Sequence, residues 1–271
     1  MARGTPLLTI ITVVKNGGGG FEKTRDSILA QTNHSFEWII KDGGSTDGTL
    51  EKALQLIDDR VTVLDGKDAG IYDAMNQAVK YVSGRYVHFL NAGDYYASND
   101  SVQQLYEAVK MMGYPAMLVC FIMNQSTRTV LSCPAKPNRY YLYRRCFCHQ
   151  AVFFHKSLIP QNMCYDITLK LKADHDLILK CLNQGKSLSV VSKVMVCYDG
   201  SGISDNRKHI SLLDTEADEV HRRHFTTVER ALFGFVQEAT LWRIRRAMLR
   251  HNRRSINGIY NRLLLYINRK L

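Results

Sequence analysis

The chain is poor in proline, with 5 among 271 residues, and its 18 glycines follow no three-residue period, which excludes disordered, mucin-like and collagen-like chains. No stretch approaches the roughly eighteen consecutive apolar residues of a membrane span; the longest run, residues 116–123, stops at Asn124. The 7 cysteines are odd in number, lack the spacing of a disulfide framework and mostly lie in apolar runs, which predicts reduced core thiols. Cys146-Phe147-Cys148-His149 has two thiolates at the wrong separation for a zinc knuckle. No small-residue cleavage site follows the apolar run 7–14, which alternates with threonine as a buried strand does, so a cytoplasmic protein is expected. Also missing are a Gly-x-x-x-x-Gly-Lys-Ser phosphate loop and any helix-turn-helix, zinc or RNA-recognition signature, so nucleic acid is not an expected partner.

Acidic residues disappear after Glu238. Residues 201–271 hold 14 Lys+Arg against 7 Asp+Glu, so +7 of the net +11 charge lies in that last quarter. From Leu241 onward the bases interleave with Trp242, Ile244, Leu249 and further apolar residues, a composition suited to an anionic membrane surface. A basic helix packed against its parent domain has the same pattern.

Upstream, strands and helices alternate. Strands are expected at 7–14, 36–41, 61–64, 85–90, 117–123 and 151–154, and helices at 21–31, 50–57, 71–82 and 101–112, with another running up to Gly185. This order predicts an α/β fold with a mostly parallel sheet covered on both faces. Three strands end in acid-rich or glycine-rich segments, 41–49, 65–70 and 91–94. Ligands of such sheets bind at the carboxyl ends of the strands, and carboxylates there can hold a divalent cation, a ribose or a base. Gly17 to Gly20 does not fit the Gly-x-Gly-x-x-Gly dinucleotide pattern, although Asp42 follows about twenty residues later, which keeps a dinucleotide site as an alternative.

The segments TIITVVKN, SILAQT, FEWIIKDGGSTDGT, DAGIYDAMNQA, GRYVHFLNAGD, HQAVFF and ADHDLIL, in this order, resemble the family 2 glycosyltransferases, especially bacterial members that build colanic acid, capsule and O-antigen units. The resemblance runs from residue 7 to 204. It implies a GT-A fold, a Rossmann-like, mostly parallel sheet flanked by helices, over residues 1–204, with a nucleotide-sugar half to about residue 115 and an acceptor half beyond. A basic amphipathic helical extension, residues 205–271, would serve membrane and acceptor association. The implied reaction moves a sugar from a nucleotide-diphosphate donor, by default a UDP-hexose, to a polyprenyl-diphosphate-linked saccharide at the inner face of the cytoplasmic membrane, with inversion.

The resemblance also assigns residues. Mg²⁺ or Mn²⁺ would neutralise the departing diphosphate. The family holds it at a D-x-D-type motif, here Asn91-Ala92-Gly93-Asp94, so Asp94 is the expected ligand, with Asn91 and Gly93 where acids are usual. His209 is a further candidate ligand. Asp42 would accept hydrogen bonds from the uracil or ribose, Val14 and Asn16 would line the base pocket, and Asp68, Asn76 and Asn91 would flank the donor. Local alternatives exist: Asp42 as a turn residue, Asp68 as a helix N-cap and Asn76 as part of a polar helix face. His149 and Gln150 would contact donor or acceptor sugar, unless the histidine is structural. Asp174 is the expected base and Asp176 its competitor; either can instead favour its helix's N-terminus. Residues 199–204 read as a glycine-hinged loop over the nucleotide. From another class comes the alternative of a non-catalytic nucleotide-binding or basic surface-binding protein on the same fold, suggested by Asn91 and Gly93.

Overall fold

A computed structural model describes residues 4–145, 147–161, 164–200 and 210–248. Strand β1, Leu8–Val14, is buried along its whole length. Its two threonines are tolerated there because their hydroxyls are bonded: Thr12 donates to the Leu90 carbonyl at 2.8 Å and accepts from the Trp38 indole at 2.9 Å, while Thr9 donates to Glu37. Helix α1 (Gly18–Leu29) leads to β2 (Phe36–Asp42), and α2 (Thr49–Leu54) to β3 (Val61–Asp65). Helix α3 (Ile71–Ala78) ends in a 3₁₀ turn before β4 (Tyr86–Phe89). These four strands pair in parallel in the order β3-β2-β1-β4, so the direction of winding reverses between β1 and β4.

The second half mixes directions. After the two-residue β5 (Tyr95–Tyr96) and α4 (Ser101–Met111) come β6 (Met117–Asn124), β7 (Thr129–Leu131) and α5 (Arg139–Arg144). Then follow β8 (Val152–His155), α6 (Ala173–Asn183) and β9 (Leu188–Tyr198). One sheet runs through both halves in the order β3-β2-β1-β4-β8-β6-β9-β5, with β7 on β6. Strand β8 lies antiparallel between β4 and β6, and β6 pairs with β9 in parallel through register shifts near Cys120 and Phe121. Cys120, Cys164, Cys181 and Cys197 are buried free thiols, as their apolar settings predict.

Helices α7 (Ile210–His224) and α8 (Thr227–Met248) close the described chain. They are part of the packed body where they meet, since Val220 is buried near the end of α7 and the Phe225 and Phe233 rings lie against Tyr140 and Tyr143. Arg139 of α5 fastens them: its guanidinium donates to both Glu229 oxygens at 2.8 and 3.0 Å and to the His224 carbonyl at 2.9 Å, and lies over the Phe225 ring. The expected boundary at residue 204 lies outside the described residues, as do residues 249–271. No described helix is long and apolar enough to cross a membrane.

The Arg139 bonds hold the Glu229 carboxyl at about 2, below its ordinary 4.5. A depressed carboxylate stabilises the fold above its unfolded value, and that stability is lost as pH falls toward the folded value. Glu229→Gln should therefore melt below the parent at pH 7, and the gap should close as pH drops from 4.5 toward about 2. Melting curves across this range check it; a gap still full at the acid end would contradict it.

Candidate active site

The carboxyl ends of β1, β2, β3 and β4 bring the three acid-rich or glycine-rich segments to one edge of the sheet, around the reversal between β1 and β4. Beyond β1, Asn16 adopts φ 54°, and it is sewn to the loop after β2: its amide N–H reaches Ser45 Oγ and its side-chain oxygen accepts from Thr46 N, both at 2.8 Å. The Val14 carbonyl accepts from Gly43 N at 2.8 Å, while its side chain is buried. The glycine run does not leave a free phosphate cradle, because the Gly18 N–H is met by the Asp47 carboxylate at 3.0 Å and the Thr49 hydroxyl at 3.2 Å. A carboxylate where a dinucleotide's pyrophosphate would lie counts against that alternative.

Asp42 is fully buried. Its Oδ1 accepts from Gly44 N and Ser45 N at 2.8 and 2.7 Å, and Oδ2 has no partner among the described residues. A buried carboxylate oxygen without a donor is costly, and such atoms in folded proteins call for an explanation. Asp68 adjoins it: a side chain on Gly43 would strike Asp68 Oδ2, which lies 3.9 Å from Lys41 Nζ. Lys41, 2% exposed, donates to the carbonyls of Asp42 and Gly66 and so ties the β2 and β3 loops together. The helix-cap alternative for Asp68 does not form, since the N-cap of α3 is Gly70. Asn76 stands apart. Its oxygen accepts from Cys164 N and Tyr165 N and its amide donates to the Tyr165 carbonyl, so it staples that segment to α3.

Across the reversal, Gly93 has φ 100°, a backbone state that L side chains rarely adopt; the turn demands glycine where the family usually carries an acid. Thr24 of α1 fixes this turn by accepting from Gly93 N at 3.0 Å and donating to the Asp94 carbonyl at 2.6 Å. Asp94 is buried, its Oδ2 accepting from the Gln150 amide at 2.9 Å and Oδ1 from Asp199 N at 3.2 Å. Burial outweighs these bonds and pushes its carboxyl above the usual range. Gln150 is set in turn by His88, whose ring is stacked on Phe153 and bonds the Gln150 carbonyl at 2.9 Å.

Asn91, His149 and Asp174 form a chain of contacts. The Asn91 amide nitrogen lies 2.9 Å from His149 Nε2, and His149 Nδ1 lies 3.8 Å from Asp174 Oδ2, within ion-pair reach. With the amide oriented so, Nε2 accepts and the Nδ1 proton faces Asp174. Burial raises the Asp174 carboxyl, but His149, Lys172 and His175 together outweigh it and hold the group below its usual value, hence ionised at neutral pH. Asp176 faces elsewhere: it pairs with His224 at 2.9 Å and Arg223 at 3.4 Å, both on α7.

Among the described residues no three His, Cys, Asp or Glu side chains are grouped to hold a metal. His209 and residues 201–204 lie outside the described residues. The protein here offers the Asp94 carboxylate and the Asn91 side-chain oxygen, which is buried without a partner among the described residues. That donor set fits an ion whose other ligands come from a substrate's phosphates, the ordinary habit of Mg²⁺, and does not fit a closed protein cage.

A parallel α/β half with acids at its strand ends, continued by a mixed half in the same sheet, is the GT-A arrangement of glycosyltransferases. The chain belongs to glycosyl transferase family 2, whose model matches residues 9–153. A PGL/p-HBAD biosynthesis glycosyltransferase of Mycobacterium tuberculosis is 28% identical over 181 residues, covering 66% of this chain and 70% of its own. An uncharacterized glycosyltransferase of the same organism is 26% identical over 226 residues, covering 81% and 86%. Among solved structures, S. aureus TarS 1-349 superposes with TM-score 0.61 at 18% identity, covering 87% of this chain and 77% of that one; of a longer TarS chain it covers 36%. TarS 1-349 has been solved with UDP and with UDP-GlcNAc. The mannosyltransferase PcManGT from Pyrobaculum calidifontis, in complex with GDP-Man and Mn²⁺, superposes with TM-score 0.54 at 17% identity, covering 88% and 81%. At these identities the structural likeness bears on the fold alone.

Proposed function

We propose that this glycosyltransferase moves a hexose from a UDP-sugar to a hydroxyl of a polyprenyl-diphosphate-linked saccharide, inverting the anomeric carbon, in surface-polysaccharide synthesis. The Asn91–His149–Asp174 chain carries the reading, because it links the end of β4 to the helix bearing the base. Asp42 accepts from the uracil through Oδ2, which has no partner among the described residues; Asp68, Asn16 and the Val14 backbone complete the base and ribose pocket. Gln150 holds Asp94 in place. Bound at Asp94 and Asn91, a divalent metal would supply positive charge to the leaving diphosphate. Asp174 receives the acceptor hydroxyl's proton as the new bond forms; a carboxylate of low basicity suffices because that hydroxyl becomes acidic only in the transition state. His149 orients Asp174 and faces the sugars.

The acceptor assignment rests on the C-terminal region, residues 205–271. On α8, Val228, Leu232 and Phe235 are exposed at 77%, 51% and 72% on one face, and the sequence beyond them turns basic from Arg243 onward. An apolar face followed by bases suits a peripheral site on an anionic leaflet. Anionic phospholipid vesicles carrying a polyprenyl diphosphate saccharide test both parts. The protein is expected to float with them and, given a UDP-hexose and Mn²⁺, to yield a glycoside of inverted configuration by NMR. Nucleotide binding without transfer would favour the non-catalytic alternative.

A further inference from the structure

Helix α6 begins without a cap of its own: its N-cap, Lys172, makes no side-chain bond to the first turn. The chain entering it is held from α7 instead. Glu216, 5% exposed, accepts from Lys170 N at 2.7 Å through Oε1 and from Leu171 N and Lys172 N at 2.8 and 3.0 Å through Oε2. One turn into α6, Asp176 is held by His224 and Arg223 of the same helix. Asp174 lies between these two grips and is the one first-turn acid that faces His149. A buried carboxylate committed to three backbone donors fixes their positions more tightly than any surface contact. Nothing in the sequence signals it, since the partners are more than forty residues apart.

We propose that Glu216 is a positioning residue for transfer: by holding the backbone at 170–172 it sets the Asp174 carboxylate against His149. This rests on Asp174 being the base. Displacing a reacting group by about 1 Å can cost on the order of 100-fold in rate, while sites that do not depend on that group keep their affinity.

Glu216→Gln keeps the side chain's volume but places an amide N–H₂ against the backbone donors, and Glu216→Ala removes the clamp. Both are to be compared with the parent and with Asp174→Asn in the full-length chain. UDP release from a panel of UDP-hexoses with Mn²⁺ should show kcat lowered by roughly 10- to 100-fold in Glu216→Gln, with donor KM and UDP affinity unchanged. Adding Asp174→Asn to Glu216→Gln should cost less than Asp174→Asn alone, since both act through one group. Amide hydrogen exchange requires no donor turnover and should speed up at 170–176 in Glu216→Gln while residues 36–49 keep their protection. Unchanged exchange at 170–176, an unchanged kcat in a folded variant, or kcat and UDP affinity falling together would each overturn the proposal. If Asp174→Asn alone leaves transfer intact, the base assignment fails instead, and a kcat loss in Glu216→Gln would then count against positioning through Asp174.

Discussion

Asp174→Asn is expected to abolish transfer while leaving UDP binding intact. The substitution is isosteric, and it keeps an oxygen for the His175 N–H that Asp174 accepts at 2.7 Å. What it removes is the capacity to take a proton, and a positioned general base contributes about 10²- to 10⁴-fold. Asp176→Asn, two residues on, should act differently. Its carboxylate is engaged by His224 and Arg223, so neutralising it should lower the melting temperature and leave most of the turnover. Turnover numbers and UDP affinities for the pair separate the roles. The reverse pattern, with Asp176→Asn inactive and Asp174→Asn active, would exchange the two assignments.

The second large effect is expected at Asp42, and its two consequences should run in opposite directions. Asp42→Asn retains an Oδ1 for Gly44 N and Ser45 N, so the loop should stay formed. At the Oδ2 position it places an amide nitrogen where the carboxylate oxygen has no partner among the described residues. Removing a buried carboxylate oxygen that lacks a donor should hold or raise the melting temperature. Losing a charged acceptor for the base should weaken UDP binding by about 10- to 100-fold, since hydrogen bonds to charged groups contribute about 1.5–3 kcal/mol. Titration of UDP together with a melting curve on the same sample reads both. If Asp42 serves only the turn, UDP affinity will not change.

The parallel half of the fold was legible because its signals are local. The apolar strands at 7–14 and 36–41, the 3.6-residue period of 71–82 and the polar punctuation after each strand all appear as β1, β2, α3 and the loops at one sheet edge. The other half was harder for identifiable reasons. Strand β9 is apolar and β-branched but begins only partly buried and pairs with β6 through register shifts, so its alternation is broken. Strand β5 has two residues and exists because β9 is there to pair with it. The antiparallel direction of β8 is set by its neighbours β4 and β6, not by its own residues.

The candidate site divides along the same line. Asp42 and Asp94 could be picked out because acids at strand ends are a local pattern. Asp174 is preferred over Asp176 by its place in the ADHDLIL segment, whereas the engagement of Asp176 by α7 and the approach of Asp174 to His149 are tertiary facts. The bonds of Asn76 to Cys164 and Tyr165 join segments far apart in the chain, and no local pattern signals them. Lys41 did leave a trace, as the lone lysine closing an apolar strand, but its role depends on the Gly66 carbonyl and Asp68 across the β2–β3 gap. The glycine at position 93 looked like a lost acid and is instead a requirement of the turn that presents Asp94.

The most direct test of a nucleotide-sugar site at this sheet edge is a thermal-shift screen of UDP- and GDP-sugars on the full-length protein, with and without Mn²⁺. A ligand that binds only the native state raises the melting temperature by mass action, whether or not turnover follows. One UDP-sugar should raise it, further with Mn²⁺, and a chelator should remove the increment. A folded protein that shows no shift with any nucleotide, with or without metal, would contradict the assignment.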